Sequence, residues 1–462
     1  MSATQMTARR DDTTAGPVRI PVSDLDRMSG RERLVFVAGP MSVPPRQQLV
    51  DNLLAAAELG PQSRVGLQLN EAGDTWTYDR AGLREWCEGL VVEIPPITED
   101  QVVDVLRDRI RDDATPPPFQ LTIAGDFIVL RMTHLLGDIN ILFALFDIAI
   151  AAPGREFPSW LLKPEATAPL SLAVRETFGK NPLRVAKVLQ SQRSRLGATS
   201  FGTTRRGATP LGAVPLGTAR FDTTRFDTTP EARTQSSAVV PWQRHADLAY
   251  SRGTIQAARD LKSWVRTTPG SVTLATALLV AVRRALVAEG IPVRGESSLI
   301  YDSRRYLPDG VVTNGNFIAG LPVPAGLSDD PRQIAQIVKD NVDAASPLAA
   351  MLVGALRSRL TGRRFAKPPT TVAAAPAAHV VLTNLGVRRE LDTAPWLVGK
   401  GEEQFAHWAE PSAPDDLVIG VLQLRGALQV TAFFHGNVFD AERVQAALDR
   451  AIGDPVSLLE QH

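Results

Sequence analysis

The sequence predicts a mixed α/β (α+β) protein of two lobes, and three observations carry this prediction. A chain of 462 residues exceeds the length at which single hydrophobic cores stop growing, about 250 to 300 residues. Strand-like and helix-like apolar spacings alternate along both halves of the chain. Between residues 191 and 238 they give way to a stretch rich in Gly, Thr, Arg and Ser. We therefore expect a tail at 1–17, lobes at 18–190 and 239–462, and a linker at 191–238.

The first lobe is predicted to contain two strands and two helices. Residues 64–69 and 126–131 have strand character, whereas residues 47–59 and 99–111 have helical apolar spacing. Three consecutive prolines, 116–118, follow the second helix. Because proline fixes φ and lacks a backbone donor, neither that helix nor the following strand should run through them.

The second lobe resumes the alternation. A helix is predicted at 273–288, a strand at 298–301, a helix around Ile334 and a strand at 428–434. Asp440 should cap a terminal helix that ends near Ile452. The linker contains Arg-Phe-Asp-Thr-Thr twice in succession, at 220–229, which is too short for a repeat architecture. It predicts a duplicated loop, with a docking segment or substrate lid as the alternative.

Composition excludes several classes of partner. Lys plus Arg and Asp plus Glu both number 50, so no overall field should attract nucleic acid or an anionic membrane. The single cysteine, Cys87, cannot form an internal disulfide, and no Cys/His spacing suits a zinc site. The polar N-terminus and the lack of a long apolar run predict neither a signal peptide nor a membrane span. A cytoplasmic protein without a metal is expected.

The strongest candidate for chemistry is His134, at the end of the predicted strand, with Asp138 four residues later. The nucleophile elbow, P-loop, dinucleotide-binding and zinc-protease motifs are all missing from the sequence. Histidine suits general-base work because its ordinary pKa lies near neutrality. The alternative for His134 is a buried structural role. Asp138 could simply cap a helix, or it could also pair with an arginine, for which Arg64 is the candidate.

These residues belong to an ordered set of segments that resembles a known superfamily. Thr133-His134-Leu135-Leu136-Gly137-Asp138 is similar to the H-x-x-x-D motif of condensation domains and chloramphenicol-acetyltransferase-like acyltransferases. Further likenesses, in order along the chain, are the arginine segment at 60–64, an Arg-containing turn at 301–306, a G-N-F segment at 314–323, an S-N-x-G-like strand at 380–386 and a closing strand and helix at 433–452. The resemblance spans roughly residues 45 to 452 without the linker.

The resemblance implies two chloramphenicol-acetyltransferase-like lobes in a V-shaped pseudo-dimer with a tunnel between them. It implies transfer of an acyl group from a thioester of coenzyme A or a phosphopantetheinyl carrier protein to a small-molecule amine or hydroxyl acceptor. Such reactions belong to nonribosomal peptide, polyketide and antibiotic biosynthesis. No bound cofactor is implied. The sequence shows no adenylation or carrier segment beside the lobes, so a carrier protein is expected to act in trans.

The resemblance also implies roles for individual residues. His134 and Asp138 would be the catalytic pair, with His134 as the base, and Arg64 would support Asp138. Three further residues are expected to contact the substrate or its oxyanion: Asn316, Thr383 and Asn384. The alternative for these three is that they only form turns, at Gly315 and before Gly386.

Two departures from the superfamily pattern leave other functions open. Thr133 stands where many condensation domains have a first histidine, and Ile139 stands where they have glycine. Because Ile139 would narrow the cavity, a catalytically inactive condensation-like binding module is one alternative. A lipid or wax-ester acyltransferase is another. Structural roles are expected for His379, His407 and His435, whereas an arginine cluster at residues 357–364 could contact coenzyme A phosphates or form a solvated face.

Overall fold

The computed structural model describes residues 16–28, 32–112, 117–158, 161, 163, 165–188, 238–323, 330–360 and 369–461. Residues 191–237 of the expected linker, with its tandem unit, and residues 1–15 of the expected tail lie outside this described part, as do Arg363 and Arg364 of the arginine cluster. The described chain is a mixed α/β protein, as the sequence predicts. Within it, no helix is long and apolar enough to cross a membrane.

The first lobe is built on a five-stranded sheet in the described part of the chain. In spatial order its strands are Gln404–Ala409, Arg33–Gly39, Phe127–Thr133, Phe119–Ala124 and Val91–Glu93. One face packs on the helices Arg46–Glu58, Leu83–Leu90 and Ile139–Ala149, and the other packs on Val102–Arg111. Because both faces are covered, the strand Phe127–Thr133 is apolar throughout rather than alternating.

Two of the predicted strands begin later than the sequence pattern suggests. Asp126 belongs to a tight turn, because Ala124 pairs directly with Phe127 and Gly125 has a φ of +68°. The strand predicted over 64–69 is present only at Leu67–Leu69. Arg64 cannot join it, since its φ of 61° closes the 3₁₀ turn Pro61–Ser63.

The second lobe is built on a six-stranded sheet of described residues. In spatial order its strands are Ile318–Val323, Ser297–Asp302, His379–Val387, Asp416–Leu424, Ala427–His435 and Ala246–Arg252. Its helices are Ile255–Thr267, Leu274–Ala288, Pro331–Asp343, Ser346–Leu360, Ala441–Gly453 and Pro455–Glu460. Asp440 caps the helix Ala441–Gly453 as predicted, by accepting a hydrogen bond from the backbone of Arg443 at 3.0 Å. That helix ends at Gly453, next to the predicted Ile452, and the further helix Pro455–Glu460 packs onto the lobe after it.

Shorter elements complete the described chain. They are the strands Val18–Pro21, Leu67–Leu69, Thr75–Tyr78, Val239–Pro241 and Thr371–Ala373, the helices Asp24–Met28, Pro169–Val174 and Arg389–Asp392, the 3₁₀ turns Pro61–Ser63, Glu99–Gln101, His134–Leu136 and Ser303–Tyr306, and the π turn Arg175–Gly179.

One strand ties the two lobes together. Gln404–Ala409 lies within the predicted second lobe, yet it pairs antiparallel with Arg33–Gly39 of the first sheet. The side chain of Gln429, on the second sheet, accepts a hydrogen bond from Phe405 N at 2.6 Å and donates one to Glu403 O at 2.8 Å. All nine residues of the strand Ala427–His435, on which Gln429 lies, are buried. The crossing strand therefore holds the two sheets side by side and fixes the cleft between them.

Candidate active site

His134 opens a 3₁₀ turn, His134–Leu136, directly after the strand Phe127–Thr133. Thr133, at the place of the superfamily's first histidine, caps this turn through its hydroxyl, which accepts from Leu135 N at 3.4 Å. The backbone of His134 donates to Glu32 O at 2.7 Å. The backbone of His134 is thus fixed at the end of the central strand of the first sheet.

Asp138 combines the two roles that the sequence left open. Its Oδ1 accepts from Asn140 N at 3.0 Å, which caps the helix Ile139–Ala149, while its Oδ2 pairs with Arg304 Nη1 at 2.7 Å. The carboxylate is 0% exposed. A buried carboxylate needs such partners, because an unpaired buried charge is strongly unfavourable.

The expected direct pair between Arg64 and Asp138 is wrong. Arg64 instead pairs with Glu165 at 3.0 Å and lies 3.7 Å from Asp26. Its Nη1 donates to the Leu136 carbonyl at 2.5 Å. Arg64 therefore supports the histidine turn through the backbone of Leu136 and not through Asp138.

Two residues of the second lobe, Arg304 and Asn316, hold the turn His134–Leu136 and the start of the following helix in place by hydrogen bonds. Arg304 Nε donates to Thr313 O at 3.1 Å and its Nη2 donates to Gly315 O at 2.8 Å. Asn316 Nδ2 donates to the His134 carbonyl at 2.6 Å, and Asn316 N donates to Asp26 Oδ1 at 2.8 Å. The predicted G-N-F segment thus locks the position of His134 across the lobe interface.

A cavity of about 290 Å³ opens beside His134 between the two lobes. It brings together four of the predicted site residues, His134, Asn316, Thr383 and Asn384, whereas Asp138 and Arg64 do not line it. Ile139 lines it too, as its place after the motif suggested. The remaining wall is mostly apolar, with Leu25, Leu34, Ile300, Ile318, Met351, Val381, Leu385, Val418 and Phe433.

The imidazole of His134 is suited to accept a proton. Burial lowers its pKa below the ordinary value, because a charged ring would lose its hydration. The side chain is 8% exposed, and its Nδ1 has no hydrogen-bond partner among the described atoms. A ring that is neutral at physiological pH is in the form that a general base requires.

No protein-family model matches the chain, and no curated protein matches it either. Solved structures match over nearly its whole length. The trichothecene 15-O-acetyltransferase TRI3 from Fusarium sporotrichioides is 13% identical with a TM-score of 0.60, and the match covers 96% of this chain and 95% of that one. The condensation domain of the monacolin K polyketide synthase MokA is 14% identical with a TM-score of 0.54, and 96% of each chain is covered. This chain has the condensation-domain fold.

A third structure of this fold, the epimerization domain from the third module of tyrocidine synthetase B, is 14% identical with a TM-score of 0.53 and covers 96% of this chain and 98% of its own. The predicted resemblance to the condensation-domain and chloramphenicol-acetyltransferase-like superfamily is therefore confirmed at the level of the fold. At identities this low, similarity shows the fold alone, and the chemistry of the site depends on its own residues.

Within the condensation-domain fold, Thr383 and Asn384 lie on the strand His379–Val387 and face the cavity. Asn384 also takes part in the turn that the sequence offered as its alternative role, since its Oδ1 accepts from Gly386 N at 3.0 Å. A bulge between Asn384 and Gly386 shifts the register with the neighbouring strand. Thr383, the residue before this bulge, places a hydroxyl group on the cavity wall.

The other histidines divide into two groups. His379 forms a hydrogen-bonded chain, in which Nδ1 lies 2.9 Å from Asp416 Oδ1 and Nε2 lies 3.1 Å from Ser298 Oγ. Neither Ser298 nor His379 lines the cavity, so this chain joins strands, as expected for His379. His435 accepts from His245 N at 3.4 Å and packs on Trp242. His407 differs, because it lines the cavity with both ring nitrogens unpartnered among the described atoms.

Three polar residues of this site have roles that the sequence did not predict. Arg304 was covered only as part of an Arg-containing turn, and Glu32 and Arg388 were not singled out. Arg388 lines the cavity, donates from Nη1 to Asn140 Oδ1 at 2.9 Å, and lies over the Phe143 ring at 4.8 Å. Among the described residues, no group of three His, Cys, Asp or Glu side chains is placed to hold a metal ion.

Gly137, inside the motif, lies too close to its neighbours to carry a side chain. Its φ is +149°, and a Cβ there would lie 2.6 Å from Ile141 Cγ1 and 2.7 Å from Asn314 O. Gly137→Ala should therefore lower the free energy of unfolding by about 2 kcal/mol, from backbone strain and overpacking together. Urea unfolding measures this change. Gly154→Ala is the control, because Gly154 has a φ of +80° but no atom within 4 Å; equal losses in the two variants would refute the close contact.

Proposed function

We propose that this chain is an acyltransferase of the condensation type. It would move an acyl group from a thioester, on coenzyme A or a phosphopantetheinyl carrier protein, to an amine or hydroxyl acceptor. The observation that carries the proposal is the placement of His134, a buried neutral imidazole that lines a cavity between the lobes. The similar fold of a trichothecene acetyltransferase and of a polyketide synthase condensation domain supports it.

The chemistry requires one base and at least one donor. His134 would take the proton of the acceptor as its nitrogen or oxygen attacks the thioester carbonyl, and would then return that proton to the departing sulfur. The oxygen of the tetrahedral intermediate needs preorganised donors, which usually provide the largest stabilisation. Thr383 Oγ1 and Asn384 Nδ2 are our candidates. Asn316 acts instead as a positioning residue, because its amide nitrogen is committed to His134 O and Asp26.

Asp138 and Arg304 would act only through His134. Their ion pair fixes the start of the helix Ile139–Ala149 and makes no hydrogen bond to the imidazole, on which Asp138 acts through its charge alone. This arrangement differs from a hydrolase triad, in which a carboxylate holds the imidazole directly. We propose a cytoplasmic role in natural-product biosynthesis, with a carrier protein, where one is used, acting in trans.

Product analysis tests this function. The purified chain is incubated with acetyl-coenzyme A or an acylated carrier protein and a panel of amines and alcohols, and mass spectrometry identifies any amide or ester. Thr383→Trp should abolish transfer by filling the cavity that Thr383 lines. Val398→Trp is the matched control, because Val398 is 82% exposed and lies outside the cavity lining. Equal transfer by the two variants would argue against the cavity as the reaction site.

Two other functions predict different outcomes of the same panel. A lipid or wax-ester acyltransferase would use long-chain alcohols and long-chain acyl thioesters, and the largely apolar cavity wall is compatible with that. An inactive binding module would bind a carrier protein or acceptor with no turnover of any thioester. Ile139, which lines the cavity beside His134, is the residue that motivates this second alternative.

A further inference from the structure

Four polar residues gather on one part of the cavity wall: Glu32, Glu410, Ser412 and Asp416. Two of the three carboxylates already have partners. Glu410 pairs with Arg244 at 2.5 Å and with Arg33 at 3.7 Å. Asp416 contacts His379 and accepts from Ala413 N at 2.8 Å. Their charges are thus largely satisfied within the protein.

Glu32 has no such compensation in the described part of the chain. Its Oε1 accepts a single hydrogen bond from Ser412 Oγ at 3.0 Å, and none of the ion pairs among the described residues includes it. Burial raises the pKa of Glu32 to about 8, against the opposing hydrogen bond from Ser412, and Glu410 and Asp416 raise it further. The negative charges around Glu32 would favour a bound cation beside its carboxyl group.

His407 is an independent sign that a polar ligand occupies this cavity. It is 4% exposed, lines the cavity, and has no partner for either ring nitrogen among the described atoms. Burial lowers its pKa to about 3, so the ring is neutral and offers one donor and one acceptor. Because buried polar groups in folded proteins nearly always have partners, a bound ligand is the natural partner for His407.

The position of Glu32 relates it to the proposed base. Its carbonyl accepts a hydrogen bond from the backbone nitrogen of His134 at 2.7 Å. The two residues are therefore neighbours, next to the paired ends of the strands Arg33–Gly39 and Phe127–Thr133. Leu34, in the strand Arg33–Gly39 that begins directly after Glu32, also lines the cavity. A ligand group held by Glu32 is thereby placed on the same wall as His134.

We propose that Glu32 and Ser412 bind the acceptor as a primary ammonium, which would make this chain an amide-forming enzyme for amines with an apolar body. This inference rests on the proposed function and narrows its acceptor. The ammonium supplies the cation that Glu32 lacks, and the apolar wall around Leu34 and Phe433 accommodates the rest of the molecule.

The proposed step balances in protons. The ammonium first gives one proton to the Glu32 carboxylate and becomes a neutral amine. As the nitrogen attacks the thioester carbonyl, His134 takes its second proton, and when the carbon–sulfur bond breaks that proton passes to the thiolate. The products are an amide and a thiol, and the proton on Glu32 leaves to solvent.

The titration of Glu32 depends on its neighbours. The groups that surround it are the carboxylates Glu410 and Asp416, together with the arginines Arg33 and Arg244 that pair with Glu410 and the imidazole of His379 that pairs with Asp416. Binding of an ammonium should lower the pKa of Glu32 and release a proton near pH 7. A neutral alcohol of the same shape should release none.

Calorimetry on a chain that cannot turn over separates binding from catalysis. In the His134→Gln background, 2-phenylethylamine and 2-phenylethanol are titrated in two buffers of different ionisation enthalpy. We expect the amine to bind with release of up to about one proton, and Glu32→Gln to weaken amine binding roughly tenfold to hundredfold while leaving the alcohol unchanged. Asp302→Asn is the matched control, because Asp302 lines the same cavity but already pairs with Arg304; the preference for amine should persist in it.

The outcomes distinguish this inference from the proposed function. Equal binding of the amine by Glu32→Gln and by the His134→Gln background alone would overturn the ammonium site. Transfer to alcohols but not to amines by the wild-type chain would overturn it as well, while leaving acyl transfer intact. Binding of the amine that depends on Glu32, without any thioester turnover, would support the ammonium site and count against the acyltransferase.

Stability gives a check that Glu32→Gln folds. Because the folded chain holds the proton of Glu32 up to about pH 8 while the ordinary pKa of a glutamate is 4.5, the folded state binds more protons between these values. Folding stability from this group is therefore greatest below about pH 4.5 and is lost as pH rises towards 8. Melting temperatures should show the glutamine variant at least as stable as wild type at pH 8; a lower value would contradict the raised pKa of the half-buried Glu32 carboxyl group.

Discussion

Replacing Arg304 with methionine is expected to lower the free energy of unfolding by about 3 kcal/mol. The change leaves the carboxylate of Asp138 buried at 0% exposure without its cation, and removal of one partner of a buried pair typically costs about 3–5 kcal/mol. The lower end applies because Arg304 itself is 21% exposed. Arg304 also donates to Thr313 O and Gly315 O, so its loss should loosen the clasp on the histidine turn and reduce turnover.

A double-mutant cycle identifies which arginine supports Asp138. Asp138→Asn, Arg304→Met and their combination should show a coupling energy above about 1 kcal/mol in urea unfolding, because the two side chains are in contact. The matched cycle with Arg64→Met should show coupling below about 0.5 kcal/mol, since Arg64 pairs with Glu165 and Asp26. Stronger coupling of Asp138 to Arg64 than to Arg304 would restore the pairing that the sequence suggested.

His134→Gln should lower kcat by about 10²- to 10⁴-fold, the usual contribution of a positioned general base. Glutamine nearly matches the size of the imidazole but cannot take up a proton. The backbone bonds of His134 to Glu32 and Asn316 do not depend on the side chain, so the fold should persist. His245→Gln is the control, because His245 is exposed and lies outside the cavity lining.

The pH dependence follows from the direction of the His134 shift. Burial lowers its pKa below 6.5, so the larger part of the base is neutral at that pH and kcat at saturating acceptor should rise less than twofold above it. As pH falls below 6.5, kcat should decline through the lowered pKa, because the protonated ring cannot accept a proton. A decline centred above pH 6.5 would contradict the buried, neutral imidazole.

The sequence predicted the parts of this structure that local patterns determine. The helix Leu274–Ala288 and its Thr273 cap follow from apolar spacing and a capping residue. The strand and the helix around His134 follow in the same way, because each is an apolar run and Asp138 can cap the second one. The ordered second-lobe segments indicated correctly that Asn316, Thr383 and Asn384 share a cavity with His134.

Contacts between distant segments were beyond local patterns. Asp138 meets Arg304 across 166 residues of chain, and nothing in the spacing favours that arginine over Arg64. The crossing strand Gln404–Ala409 joins the first sheet from within the second lobe, which a division into consecutive lobes does not reveal. Glu32 is a single acidic residue before an apolar strand, and only its place on the cavity wall beside Glu410 and Asp416 makes it unusual.

The central claim is that His134, in the cavity between the lobes, is the base of an acyl transfer. Single-turnover release of thiol from an acyl thioester, with the acceptor that the panel identifies, tests it most directly when wild type, His134→Gln and His245→Gln are compared at equal concentration. We expect wild type and His245→Gln to release thiol and form product at the same rate, and His134→Gln to do so at least a hundredfold more slowly. Equal rates for wild type and His134→Gln, with both folded, would contradict the claim.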